Sequence, residues 1–352
     1  MKFVRLEAVR GFAATYVCLG HVVILNLGSS GIFADLFKFG QEAVMVFFIL
    51  SGFVIAWATS RGEGEAEPFS RYFLKRFTRI YSVWGIAVLA MFLMESIEHL
   101  EPVWESPGRL LGNFLMLQDF KYGKPGVICG PVYGATPLWS LHYEWWFYML
   151  FPLVLLLKGA EHRTHMVGML AILGGVSYAL IPNPVSRICL YFGVWWVGVH
   201  FATVLRKKGS IEFRDAIVPV SYVLLSTLPL CVLCSWWMFE GRRWSIGEHP
   251  LLELRHLVSS VVLVGLAFLW RQMNWLGFRY TIQLFAFVAP ISFSLYVLHY
   301  KGVVYAKYLG FIGVPLLEFA LYVVVTVLLC VFSEIYFYKY FRSWLLPAKR
   351  IP

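Results

Sequence analysis

Apolar runs of membrane-crossing length dominate this chain, and short polar or Pro/Gly-rich breaks divide them. The runs at 8–27, 40–59, 81–97, 138–157, 166–181, 186–205, 217–239, 255–270, 284–304 and 311–337 read as ten transmembrane helices. The third, fifth and eighth are short or interrupted. The breaks carry turn chemistry: Gly-Glu-Gly-Glu at 62–65, Pro107-Gly108, Gly123 to Gly126, Gly130-Pro131 and Pro182-Asn-Pro184. No internal repeat is evident, which argues against the repeated architecture of many transporters. Between the second and third runs, Phe69 to Tyr81 interleaves aromatic and basic residues, the pattern of an interfacial helix on membrane lipids.

Composition supports the same class. At 352 residues, 59% hydrophobic and 14% charged, with mean hydropathy +0.69, the chain is too apolar for a soluble fold. The expected fold is an all-α polytopic membrane protein of about ten transmembrane helices with a cytoplasmic interfacial helix. A transmembrane domain over 1–340 would be followed by a short cytoplasmic tail at 341–352.

The net charge of +10 raises the question of a polyanionic partner. The basic residues instead alternate from loop to loop. With the N-terminus cytoplasmic, 20 of the 30 Lys and Arg fall on that side, while Asp35, Glu98, Glu101, Glu105, Asp119, Glu240, Glu248 and Glu253 fall opposite. The excess therefore reports topology in the inner or plasma membrane, both termini cytoplasmic, and no nucleic acid is implied. Arg10 interrupts the first apolar run and no small-x-small site follows it, so a cleaved signal peptide is not expected. Cys231 and Cys234 form a C-x-x-C inside an apolar run, where packing is the expectation, and no metal site is indicated.

Ionisable residues inside these runs are the candidate chemistry, because a bilayer makes them costly. Arg10 and His21 are eleven residues apart, which puts both on one face of the first helix, about 16 Å apart along its axis. Arg10 could simply snorkel, and His21 could bond a neighbouring helix. Arg76 and Arg79 share a face at i,i+3 and suit an anionic ligand as well as lipid phosphate. Glu144 and Tyr148 form an i,i+4 pair near His142. Glu144 needs a partner, which His21, a basic residue or water could supply; an interhelix hydrogen bond is the structural alternative. His299 closes a further polar motif late in the ninth run.

Taken in order, these segments resemble the acyltransferase-3 family of integral membrane acyltransferases. The R-x10-H element matches Arg10 and His21, F-F-x-L-S-G-F matches Phe47 to Phe53, and R-x-x-R-I-Y matches Arg76 to Tyr81. W-S-L-x-x-E-x-x-F-Y matches Trp139 to Tyr148, and S-x-S-L-Y-x-x-H matches Ser292 to His299. The chain departs from the pattern at Met45, where relatives often carry Asp; at Ser82, where Pro often follows; and at 338–342, where Glu-x-Pro is missing.

The resemblance implies transfer of an acyl group, usually acetyl, from cytoplasmic acetyl-CoA to a hydroxyl of an extracytoplasmic polysaccharide or lipid-linked sugar. Arg10, Arg76 and Arg79 would hold the donor's phosphates. His21 would take the hydroxyl proton or accept the acyl group itself, with Glu144 orienting or charge-balancing it. Ser51, Tyr148 and His299 would line the acceptor path. Without a hydrolase-like C-terminal domain, the protein would modify its acceptor directly or hand the group to a separate extracytoplasmic protein. The competing class is a glycan or lipid translocator whose polar residues form a pathway without acyl-transfer chemistry. The charge split predicts that reporter fusions after residues 30, 125 and 250 read extracytoplasmic; a cytoplasmic signal at 125 overturns this topology.

Overall fold

The computed structural model describes residues 3–27, 31–59, 67–243 and 245–346. The glycine-rich break at 62–65 and the tail residues 347–352 lie outside them. The described chain is helical throughout, apart from connecting segments and one isolated bridge between Gln118 and Cys129. The helices are α1 (Val4–Leu27), α2 (Ile32–Phe37), α3 (Gly40–Thr59), α4 (Phe69–His99), α5 (Pro107–Phe114), α6 (Trp139–Leu155) and α7 (Ala160–Leu180). They continue as α8 (Pro184–Lys208), α9 (Phe213–Phe239), α10 (Leu251–Gln272), α11 (Ser292–His299), α12 (Pro315–Val331) and α13 (Tyr338–Leu345).

Among the described residues, seven segments are long and apolar enough to cross a membrane: α1, α3, α4, α8, α9, α10 and the continuous run from α12 through α13. Three of the ten expected spans fall outside this group. The fourth, α6, is 17 residues long and carries His142 and Glu144. The fifth, α7, opens with Glu161, His162, Arg163 and His165. The ninth is not one helix: 3-10 turns around Pro290 lead into the eight-residue α11, and a π turn at Tyr300–Val304 follows.

The separate interfacial helix expected at 69–81 is also corrected. Phe69 to His99 is one helix of 31 residues, about 46 Å long at 1.5 Å per residue. The cause is local. Pro68 stands at its start, and Ser82 occupies the position where a proline would have broken it. The tail expected from 341 likewise begins inside α13, which runs on to Leu345.

The centre of the bundle is aromatic. Phe48 of α3, Tyr143 and Phe147 of α6, and Tyr191 and Trp195 of α8 interlock, with Phe48 and Phe147 edge to face at 5.2 Å and Tyr143 and Tyr191 at 4.9 Å. Helices α3 and α8 approach closely because each presents a glycine. A Cβ on Gly52 would overlap the Trp195 carbonyl, and one on Gly198 would overlap the Ile49 carbonyl.

Beyond α5, the segment 115–138 is fastened to this core by buried charge. Asp119 accepts from Lys124 Nζ at 3.0 Å and from the Tyr143 hydroxyl at 2.5 Å, and lies 2.9 Å from Arg187 Nη2. All three ionic side chains are at most 1% exposed. Arg187 also donates to Tyr143, Tyr178 and the Pro125 carbonyl, and Tyr178 passes the chain of bonds to Glu253 of α10. Burial pushes the Asp119 carboxyl up, but Lys124 and Arg187 outweigh it and hold it well below the usual carboxylate range. Burial pulls Lys124 down to about 8, opposed by Asp119. Asp119→Asn, which leaves two buried cations short of one charge, is expected to destabilise the protein by about 3–5 kcal/mol in thermal or denaturant unfolding. Because the folded carboxyl is depressed, its contribution is present above pH about 4 and fades as pH falls further.

Candidate active site

One face of α1 runs along the 3-10 turns and α11. A Cβ at Gly11 would overlap the Phe285 carbonyl; Arg10 Nη2 donates to the Ala289 carbonyl at 2.8 Å, and His21 Nδ1 lies 2.9 Å from His299 Nε2. The eleven-residue spacing thus delivers Arg10 and His21 to a single neighbouring strip, at different depths.

A cavity of about 590 Å³ opens at the end of the bundle where α1 and α4 begin and α3 and α13 end. Arg10, Lys75, Arg76, Arg79 and Arg342 line it, against the acids Glu7 and Glu144. Its apolar walls include Phe3, Phe47, Trp57 and Phe293. The three sequence-predicted arginines all reach it, but in different states. Arg79 is ion-paired with the buried Glu334 and packs on the rings of Phe293 and Tyr338. Arg76 lies over the rings of Tyr72 and Tyr148, at 5.2 and 5.8 Å. Among the described residues, Arg10 Nε and Arg76 Nε are buried without a hydrogen-bond partner. Buried donors left open in this way favour an anionic occupant, because an unmade bond there costs about 1–3 kcal/mol. Arg10 and Arg76 present that opening to the cavity. The charge of Arg79 is already met.

Deeper in, Glu144 Oε1 accepts from Ser51 Oγ at 3.0 Å and from the Tyr148 hydroxyl, while Trp195 Nε1 donates to Ser51 Oγ at 3.3 Å. Ser51, Glu144 and Tyr148 therefore form one hydrogen-bonded group in the cavity lining. The expected pairing of Glu144 with His21 is not present. The partner of His21 is His299, whose Nε2 faces the His21 ring. The two rings stack at 5.1 Å with 25° between planes, and neither histidine lines the cavity. Tyr296 stands between: it lines the cavity, donates its hydroxyl to the Pro137 carbonyl at 2.9 Å, and lies 6.1 Å, ring to ring, from His299.

His142 is elsewhere, with Nδ1 2.6 Å from the Met116 carbonyl in the fastened segment. Sequence reasoning also missed Glu334. It sought a late carboxylate at 338–342, whereas the carboxylate sits in the π turn Phe332–Phe337, where it also accepts from the Ser294 amide at 2.9 Å. An acid inside the apolar run 311–337 was the available signal. Among the described residues, no group of three or more His, Cys, Asp or Glu side chains is placed to hold a metal.

The fold and cavity define a helical membrane protein with a cationic chamber at one end and, further along α1, a histidine pair shared between α1 and α11. A family profile described as "Acyltransferase domain", that of the acyltransferase-3 family, matches residues 3–335. The chain belongs to this family. It is 30% identical over 162 residues to the acyltransferase MdmB of Streptomyces mycarofaciens, covering 42% of this chain and 38% of that protein. It is 23% identical over 212 residues to ORF330 of Acidianus two-tailed virus, named as a candidate acetyltransferase, covering 58% of this chain and 59% of that protein. The chain thus spans less than two thirds of either relative. No solved structure matches it. If Arg79 and Glu334 are a structural pair, Glu334→Gln leaves a buried guanidinium uncompensated and is expected to cost about 3–5 kcal/mol in thermal unfolding, more than Arg76→Ala does.

Proposed function

We propose that the protein is a membrane O-acyltransferase that moves an acetyl group from cytoplasmic acetyl-CoA to a hydroxyl of an extracytoplasmic polysaccharide or lipid-linked sugar. The observation that carries this reading is the pair of unpartnered guanidinium nitrogens, on Arg10 and Arg76, in a cationic cavity at the end of α1. Phosphates of the donor satisfy both, and the apolar walls accept its pantetheine arm. Arg79, held by Glu334, adds field without needing to touch the ligand.

His21 then acts as base. It takes the proton of the acceptor hydroxyl as that oxygen bonds to the thioester carbonyl carbon; the carbon–sulfur bond breaks, and the thiolate leaves, taking the proton from the His21 imidazolium to give CoA and a neutral base. Oε1 of Glu144 accepts from both Ser51 and Tyr148, so its role is to fix that group and to place a negative charge in the cavity that Arg10 and Arg76 line. The names of the relatives, an acyltransferase and a candidate acetyltransferase, favour acyl transfer over the translocator alternative.

Inside-out vesicles from cells that make the protein, given acetyl-labelled acetyl-CoA, are expected to release CoA and to gain label in glycan. A translocator does neither. Arg76→Ala should raise the KM for acetyl-CoA by the equivalent of about 1–3 kcal/mol with little change in kcat. His21→Gln should keep donor binding and lose roughly 10²-fold or more in kcat. Near-normal turnover by a folded His21→Gln protein removes His21 from the chemistry.

A further inference from the structure

We infer that His299 is a positioning residue: it fixes the tautomer of His21 so that Nε2 of His21 carries the lone pair that accepts the proton. This rests on the reading of His21 as the base. It follows from the direction in which each hydrogen bond must run. His299 Nδ1 lies 2.8 Å from the Tyr296 carbonyl and 3.1 Å from the Leu295 carbonyl. A carbonyl oxygen only accepts, so Nδ1 of His299 carries a hydrogen. A neutral imidazole has one N–H, which leaves Nε2 of His299 as an acceptor. His21 Nδ1, 2.9 Å from that acceptor, must donate to it. The hydrogen of neutral His21 therefore sits on Nδ1, and its Nε2 is left as the base.

The backbone places this relay. Leu295 and Tyr296 are four and three residues before His299, at the end of α11, where the helix gives way to the π turn beginning at Tyr300. Their carbonyls sit under the His299 ring and set its polarity without another side chain. The ring of Tyr300 stands edge-on to His21 at 5.4 Å and closes one side of the pair. When His21 takes up a proton, its Nδ1–H bond to His299 becomes charge-assisted and strengthens, so the same contact stabilises the imidazolium formed during transfer. The logic parallels the third member of a catalytic triad, with an imidazole held by two carbonyls in place of a carboxylate. Were His299 to carry hydrogens on both nitrogens, His21 would have to accept at Nδ1, and its Nε2 would be blocked.

Substitutions at 299 separate an acceptor from mere bulk. Full-length protein in inside-out vesicles is assayed with labelled acetyl-CoA as His299→Gln, His299→Leu, His21→Gln and the double variant His21→Gln/His299→Leu. Glutamine can present an oxygen to His21, and is expected to stay within about tenfold of the wild-type kcat. Leucine fills the space but accepts nothing; it should lose on the order of 10²-fold in kcat while the KM for acetyl-CoA moves by less than about twofold. Because His299 acts only through His21, the double variant should be no slower than His21→Gln alone, whereas an independent packing role would add its own loss. A His299→Leu protein within about threefold of wild type, or a glutamine variant as slow as leucine, overturns the positioning role and leaves His21 as base. Full activity in His21→Gln removes the underlying reading itself.

Discussion

A charged side chain taken out of water must meet an opposite charge or a full set of hydrogen-bonding groups, and the architecture of this bundle is organised by how that requirement is met. Asp119, Lys124 and Arg187 meet it by mutual pairing, and in doing so fasten the segment between α5 and α6 onto the aromatic core. Arg79 meets it through Glu334, which links α4 to the π turn between α12 and α13. Glu144 meets it with two hydroxyls, which ties α6 to α3. Each closed account is a fixed point of the fold. Arg187 Nη2 and Arg255 Nε lack a hydrogen bond, but each faces a carboxylate, Asp119 or Glu42; the open nitrogens of Arg10 and Arg76 lie at the cavity with no ion pair among the described residues. The contrast separates charge that holds helices together from charge available to a ligand, a distinction that mere presence in a motif does not make.

Much of this was legible before any coordinates. The apolar runs announced an all-α membrane protein, and the motif residues Arg10, Ser51, Arg76, Arg79, Glu144 and Tyr148 do gather around one cavity. Helical spacing was enough to place Arg10 and His21 on one face, because i to i+11 is close to a whole number of turns. Partner choice was not legible. Glu144 has several candidate partners in the sequence, and only the packing of α3 beside α6 decides for Ser51. Glu334 and Asp119 find their arginines across 255 and 68 residues of chain, separations over which local pattern says nothing.

Helix continuity failed for a different reason. The aromatic and basic stretch 69–81 and the apolar stretch 81–97 have different compositions, and composition suggested two elements. Backbone hydrogen bonding does not register that change, and α4 runs through Ser82 and even Gly85 without a break. The converse holds at 284–304, which is apolar throughout yet does not form one helix, since Pro290 sits inside it and the approach of α1 at Gly11 uses a backbone carbonyl of that segment. The irregular backbone is what brings the Ala289 carbonyl to Arg10 and the Tyr296 side chain between the cavity and His299.

That placement sets a geometric condition on the proposed reaction. Arg10 and His21 are carried on one helix about 16 Å apart along its axis, so a donor whose phosphates sit at Arg10 must span about that distance to bring its thioester to His21. The group that lies at that passage is Tyr296, held to the Pro137 carbonyl by a single hydrogen bond and flanked by Phe47 at 5.7 Å. The Pro137 carbonyl belongs to the segment that Asp119 and Lys124 fasten to the core. Tyr296 therefore takes its position from two sources at once, the helix that carries His299 and the segment anchored by the buried ion cluster. Tyr296 thus forms the part of the cavity wall that lies against His299. The charge network remote from the cavity in this way reaches the cavity wall through one tyrosine, and none of its charged side chains lines the cavity.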